Sequence, residues 1–424
     1  MADPIFHIKD SYFFEVPRFL HPSDRENAKD FPNVWVKLDK DFQEQQAHAI
    51  QEAYTGSSEL PSIADWHDWQ HAGNSHANFA APYYEYVEHH VESLKDISQD
   101  QAWETVVAEH SSAKYVEKYK ESASWDAQKL EDYNFHLSGK VLIPQPFGTL
   151  RNLHEQESGF AISKFMVIEV FLAVLLLFVF GRLSKKVRSG EPVRGKLSNL
   201  FEVFLLFIRD DVARPSIGSD ADFHHGHDDH DDHGGHDDHH DHGPPTYRIA
   251  DKITPILWTL FLFILGCNLA GMIPWVGSPT GVLAVTAALA TGTFVTTVIA
   301  GSIIHKPIGF WLNQIPSLEL SFAIALIIKP MLWVIEIAGL FIKHGVLAIR
   351  LLANLVAGHL VLLSLMGLGM AAANLGAGGF YSIAGVSVIG SAALSCLELF
   401  VAFLQAYVFT LLSALFIGAA MHHH

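Results

Sequence analysis

The stretch PSLELSFAIALIIKPMLWVIEIAGLFIKHGVLAIRLLANLVAGHLVLLSLMGLGM (316–370) is apolar and long enough to cross a membrane, yet it carries regularly spaced charges. Lys329, Glu336, Lys343 and Arg350 follow one another at intervals of seven residues. A charge at the centre of a bilayer costs about 2.5–3.5 kcal/mol, so four would cost roughly 10–14 kcal/mol. A step of seven drifts by only ~20° around a helix, so the four charges and Asn354 lie along one side. That side is predicted to face protein or water, because lipid would leave the charges unpaired.

The two ends of the chain differ in composition. The 424 residues are 50% hydrophobic and 17% charged, but residues 1–160 are polar, whereas no aspartate follows Lys252 and long apolar runs dominate there. The net charge of −17 is concentrated in the first 250 residues and argues against a nucleic-acid partner. Cys267 and Cys396 each lie in an apolar run without the spacing of metal ligands. The sequence therefore indicates a membrane protein with an aqueous extension.

These patterns predict an all-α polytopic membrane protein with about five transmembrane helices. Two of the helices are expected to be long and tilted (317–369 and 382–420), and the first must either tilt steeply or bend near Gly339 or His344-Gly345. One interfacial amphipathic helix is expected at 197–208, and the aqueous extension is expected to be mostly helical. We divide the chain into a polar extension (1–160), a first span (161–181), a basic segment with the interfacial helix (182–219), a His/Asp-rich loop (220–245), a helical membrane domain (246–420) and a tail (421–424).

Basic residues after the first span predict its orientation. They are Arg182, Lys185, Lys186, Arg188, Arg194 and Lys196. Such clusters remain on the cytoplasmic side, so the N-terminus is expected on the outer side and the C-terminus in the cytoplasm. Residues 1–14 lack a basic end followed by an apolar core, so we expect no cleavable signal peptide.

The loop at 220–242 consists almost wholly of His, Asp and Gly. Imidazole and carboxylate suit zinc or nickel, which makes His224, His225, His227 and His230 weak metal candidates, but a solvated loop is the simpler interpretation. We expect no cofactor. A divalent-metal transporter is the alternative function, although the central buried cation Arg350 would repel a metal ion. A bis-His haem carrier is disfavoured because we count only His359 well inside a span.

The two long helices predict a set of protonatable groups. If they run antiparallel with Arg350 level with Gln405, then His359 and Glu398 lie at similar depth in the outer half. A carboxyl and an imidazole can both exchange protons near neutral pH, while Glu336 lies in the opposite half. This arrangement describes two half-channels separated by an arginine that stays charged.

Structural interpretations of the same residues remain open. Lys329 and Lys343 can extend to an interface or pair with Glu336, and His359 can be held by an ordinary hydrogen bond. Glu336 and Arg350 are ~21 Å apart along one helix, so the carboxylate partner of Arg350 is expected from elsewhere, such as another subunit.

Several stretches closely resemble subunit a of F-type ATP synthases. They are ISKFMVIEVFL (162–172), LFEVFLLFIRDDVARP (200–215), FLFILGCNLAGMIP (261–274), IEIAGLFIK (335–343), RLLANLVAGHL (350–360) and LELFVAFLQAYVFTLL (397–412). The resemblance covers about residues 160–420. The long extension before the first span and the His/Asp loop depart from the family pattern, and the extension is hypothesised to cap the outer channel mouth or to contact other membrane subunits.

The resemblance implies a role for each candidate residue. Arg350 would face the carboxylates of a rotating c-ring, with Gln405 as the family's polar residue near it. Asn354 joins this set by its spacing, one turn after Arg350. His359 and Glu398 would belong to the outer half-channel, and Glu336 to the inner one. The implied function is the proton-translocating stator subunit of ATP synthesis in a bacterial inner membrane, without a nucleotide site of its own. The implied partners are the c-ring, the subunit b peripheral stalk, the lipid bilayer and protons.

Overall fold

A computed structural model describes residues 10–56, 60–71, 81–89, 101–188, 195–219, 246–273, 276–312, 322–371 and 376–422. Their contacts divide the chain into two compact units. We call Asp10–Lys164 the N-terminal unit and the part from Phe165 onward the membrane unit.

The N-terminal unit contains short helices and two small hairpins. Its strands are β1 (Phe13–Glu15), β2 (Lys140–Leu142), β3 (Gly148–Leu150) and β4 (Gln156–Gly159). Its helices are α1 (Asn33–Val36), α2 (Lys40–Ala53), α3 (Ile63–His71), α4 (Tyr83–His89), α5 (Gln101–His110), α6 (Ser112–Ser122) and α7 (Ala127–Leu137).

Two clusters of buried side chains hold this unit together. One gathers Phe31, Trp35, Phe42 and other residues against α6 and α7, and the second surrounds Trp66. Strand β1 pairs antiparallel with β2, so that Phe13 lies opposite Leu142. This pairing was not predicted from the sequence. In the part of 1–160 that the structure describes, the extension is mostly helical, as predicted.

The membrane unit is built from long helices. They are α8 (Lys164–Arg188), α9 (Lys196–Phe207), α10 (Arg214–Ile217), α11 (Arg248–Gly271), α12 (Leu283–His305), α13 (Pro307–Leu312), α14 (Phe322–Ala371) and α15 (Gly376–Met421), with a π-helical turn at Ile208–Ala213 between α9 and α10. Helix α8 begins with the last residue of the N-terminal unit.

Five of these helices are long and apolar enough to cross a membrane: α8, α11, α12, α14 and α15. The predicted class, an all-α polytopic membrane protein, is therefore confirmed. The boundaries differ in detail. Helix α8 continues past residue 181 into the basic segment as far as Arg188. Helix α14 is one continuous helix through Gly339 and Gly345.

The core of the membrane unit lies among α11, α12, α14 and α15. Leu257, Phe261, Leu351 and Phe409 are buried there, together with Ile208 and Ile217 from the segment after α9. Helix α15 approaches α10 closely at Gly418, where an added Cβ would lie 2.0 Å from the backbone oxygen of Ser216. Only a glycine fits that contact, so Gly418 allows the C-terminal end of α15 to pack against α10.

Candidate functional site

Helices α14 and α15 run antiparallel and bring four of the predicted site residues together. The Nδ1 atom of His359 lies 3.2 Å from Oε1 of Glu398. Nearer to Arg350, Asn354 Nδ2 donates a hydrogen bond of 2.8 Å to Gln405 Oε1. Gln405 is buried, while the side chains of His359 and Glu398 are 22% and 12% exposed. Both pairs join the same two helices. His359 and Glu398 lie at one level, as expected, whereas Gln405 lies level with Asn354, one turn from Arg350, with which it was expected to be level.

The carboxylate of Glu398 is confined on one side by backbone. A Cβ added to Gly358 would lie 2.9 Å from Glu398 Oε1, so the absence of a side chain at this position leaves the carboxylate its room. Among the residues that the structure describes, Glu398 Oε1 is buried and receives no hydrogen bond, since the contact with His359 lacks hydrogen-bond geometry. A buried carboxylate oxygen in this condition is suited to hold a proton or to accept one from water.

A small cavity of about 20 Å³ adjoins Glu398. Its polar lining comes from Asn268, Asn354, Glu398 and Gln405. A space of ~10–15 Å³ is enough for one water molecule when several polar partners surround it. The cavity can therefore hold a single water between Glu398 and the Asn354–Gln405 pair.

Asn268 of α11 is a site residue that the sequence analysis did not select. Its Nδ2 donates to the backbone oxygen of Ala402 at 3.2 Å, and its Oδ1 accepts from Thr280 Oγ1 at 2.8 Å. Thr280 in turn lies 2.9 Å from the hydroxyl of Ser278. The sequence feature that could have indicated Asn268 is a single amide side chain in an otherwise apolar span. Its partners come from the loop before α12 and from α15, so they could not be inferred from residue spacing.

Arg350 is half-buried on α14, one turn before Asn354. No carboxylate oxygen lies within 4 Å of its guanidinium in the described part of the chain. Glu336 is half-buried, while Lys329 and Lys343 are exposed, and none of the three forms an ion pair with another described residue. The structure thus does not bring Arg350 and Glu336 together, and Lys329 and Lys343 point outward from the helix bundle.

His344 is a second intramembrane histidine, so the count of a single one was wrong. Its ring is buried, with Nδ1 2.9 Å from the backbone oxygen of Leu340 and Nε2 3.5 Å from Thr297 Oγ1. Rings of Phe294 and Phe416 pack against it. It stands ~22 Å from His359 along α14, so the two cannot ligate one haem iron. The weak metal candidates His224, His225, His227 and His230 lie outside the described residues.

The fold and the site together define a class: an all-α, multi-pass membrane protein with protonatable residues inside a helix pair. The family model described as ATP synthase A chain matches residues 245–418. ATP synthase subunit a of Chloroherpeton thalassium is 35% identical over 70% of this chain and 78% of the relative. The corresponding subunit of Myxococcus xanthus is 37% identical, over 62% of this chain and 75% of the relative. ATP synthase subunit a 2 of Chlorobaculum tepidum is 35% identical, over 73% and 79%.

The chain belongs to the ATP synthase subunit a family. Each of these three relatives is matched over more than two thirds of its own length. The divalent-metal transporter is accordingly not favoured.

Proposed function

We propose that this chain is the membrane stator subunit that couples proton translocation to ATP synthesis by forming two offset half-channels against a rotating c-ring. The observation that carries the proposal is the His359–Glu398 pair, held 3.2 Å apart between α14 and α15 and bordering a cavity for one water. A proton entering from the outer side would pass between these two groups, because a carboxyl and an imidazole exchange protons near neutral pH. Asn354 and Gln405, which are joined by a hydrogen bond, would come next on the path toward Arg350.

Arg350 would act as the fixed charge between the half-channels. A guanidinium keeps its proton at any physiological pH, so it blocks direct proton passage. Its freedom from carboxylates among the described residues leaves it able to pair with an acid of the c-ring. That pairing would draw the proton from each returning carboxyl group. The released proton would then leave past Glu336 in the inner half.

The test is proton-driven ATP synthesis in membrane vesicles that carry Arg350→Ala beside the parent. We expect Arg350→Ala to abolish coupled synthesis while the complex still assembles. Lys343→Ala removes an exposed cation from the same helix and is expected to keep synthesis near the parental rate. Unchanged synthesis in Arg350→Ala would contradict the proposal.

We place the chain in a bacterial inner membrane, with the N-terminal unit on the outer side, the C-terminus in the cytoplasm and subunit b of the peripheral stalk as a neighbour. The orientation rests on the basic residues after the first span.

We propose that the N-terminal unit caps the outer channel mouth or contacts other membrane subunits. Arg25 and Asn134 are joined by two backbone–side-chain hydrogen bonds of 2.9 Å, so a deletion of residues 26–133 leaves neighbouring ends. If the complex assembles normally and proton flux is normal after that deletion, both proposed roles of the N-terminal unit are contradicted.

A further inference from the structure

The N-terminal unit contains an open cleft of about 400 Å³. That volume falls in the range of ~300–1,000 Å³ that is typical of sites for small ligands. Helices α1 and α6 form one wall, and the segment from β2 to β3 forms the other. Its lining is mainly apolar: Pro32, Val34, Val116, Leu142, Ile143 and Leu150.

The polar side chains of the lining already have partners within the unit. Lys37 Nζ donates to Glu157 Oε2 at 2.5 Å, and to the backbone oxygen of Leu150 at 3.2 Å. Asn33 Nδ2 donates to Glu117 at 2.6 Å. Because these donors are satisfied, they offer little to a polar ligand, and the cleft is suited to an apolar one.

One wall of the cleft is fastened to the chain that enters the membrane. Gln145 lines the cleft, and its side chain holds the backbone of Ile162 from both sides, donating to its oxygen at 2.9 Å and accepting from its nitrogen at 2.7 Å. The first membrane-spanning helix begins only two residues later, at Lys164. Two residues of chain cover at most ~7 Å, so this wall lies next to the start of a membrane span.

Exposed aromatic side chains mark the same end of the unit. Phe147 is 70% exposed and directly precedes Gly148 of the cleft lining, while Phe160 is 56% exposed. The two are neighbours, since the backbone nitrogen of Phe160 donates to the oxygen of Phe147 at 3.0 Å. A pair of exposed phenylalanines beside a membrane span is typical of a surface that contacts lipid.

We propose that this cleft is a lipid site that takes an acyl chain of a bilayer phospholipid, with Phe147 and Phe160 in the interfacial layer beside it. The apolar walls cover the hydrocarbon chain, and the phospholipid headgroup stays in the aqueous layer. The site would hold the N-terminal unit against the membrane surface and is independent of the proton path, all of whose described residues lie in the membrane unit.

The test uses the full-length protein in phosphatidylcholine–phosphatidylglycerol vesicles containing a phospholipid with a photoreactive diazirine at the end of one acyl chain. After illumination, lipid adducts are mapped by peptide mass spectrometry. Adducts on the cleft peptides of the parent are expected, beside those on the exposed face of α8, which report that labelling has worked. Ala113→Trp places a large side chain in the cleft from an exposed position of α6, and we expect it to lower cleft labelling several-fold.

Ala127→Trp makes the same change at an exposed position of α7 outside the cleft lining, and cleft labelling should stay at the parental level. Ala113→Asp, which keeps the volume small but puts a charge on the wall, should also lower it. Three results would overturn the proposal: parental cleft peptides without adducts while α8 is labelled, labelling undiminished in both Ala113 variants, or crosslinks to a protein subunit in place of lipid. None of these readouts depends on proton transport, so the outcome of this test is independent of whether the proposed stator function is correct.

Discussion

At the scale of single residues, Glu398 is the group on which the proposed outer path depends. Glu398→Gln keeps the side-chain volume but removes the exchangeable carboxyl proton, so proton-driven ATP synthesis should fall on the order of 10²-fold. Ser395→Ala on the same helix removes a hydroxyl that only bonds the backbone oxygen of Ser391, and synthesis should change little. The measurement is ATP formation in vesicles under an imposed proton gradient. Parental rates in Glu398→Gln would exclude it from the path.

Gly358 offers a way to move Glu398 without replacing it. In Gly358→Ala the new Cβ would meet the tip of the Glu398 side chain at 2.9 Å, and a flexible side chain yields to such a contact more easily than backbone does. We expect a folded protein in which the His359–Glu398 pair is displaced. Coupled synthesis should fall by roughly ten- to a hundredfold, since a misplacement of an ångström can cost on the order of 10²-fold in rate.

The matched control for Gly358→Ala is Gly345→Ala, also on α14, where an added Cβ meets no atom within 4 Å. Its synthesis rate should stay near that of the parent. Equal rates in the two glycine variants would show that the placement of Glu398 is not limiting.

At the scale of helices, α15 contacts α10 through backbone atoms, so a clash there cannot be relieved by the rotation of a side chain. Gly418→Ala would put a Cβ 2.0 Å from the backbone oxygen of Ser216, so the two helices must separate. Overpacking of this kind costs roughly 1–3 kcal/mol. Gly385→Ala on the same helix meets no atom within 4 Å and should cost nothing. Thermal unfolding of the purified protein in detergent compares the two, and equal midpoints would contradict the expected clash.

The helices also show which features a sequence can predict. The membrane spans could be predicted from the sequence because about 20 consecutive apolar residues form a helix that matches the thickness of a bilayer. The similar depth of His359 and Glu398 followed from helical rise once Arg350 was set level with Gln405, although in the structure Gln405 is level with Asn354. Asn268 was missed because its partners lie on a loop and on another helix, as were the aromatic neighbours of His344. The β1–β2 pairing joins strands of three residues that lie far apart in the chain, and strands this short carry no usable periodicity.

At the scale of the whole molecule, the two units bury separate cores and should unfold in separate transitions. Alkali should act on the N-terminal unit in particular, because its buried and half-buried tyrosines hold their protons tightly. Burial, followed by the charge of Asp39, raises the pKa of Tyr133 to about 12. Burial also raises the pKa of Tyr83. Burial alone would lower the pKa of Lys129, but its hydrogen bonds to Asp39 and Asp41 outweigh this and raise it.

The direction of the pH effect follows from those raised values. The folded unit binds protons on these groups more tightly than the unfolded chain, whose tyrosines titrate near pH 10, so their contribution to stability is complete below about pH 10. It is lost as the pH rises through the folded value of about 12 for Tyr133. Tryptophan emission during heating should therefore show the transition of the N-terminal unit moving to lower temperature between these pH values. Tyr133→Phe cannot ionise and should lose less over the same interval. If parent and variant shift equally, ionisation of Tyr133 is not what destabilises the unit.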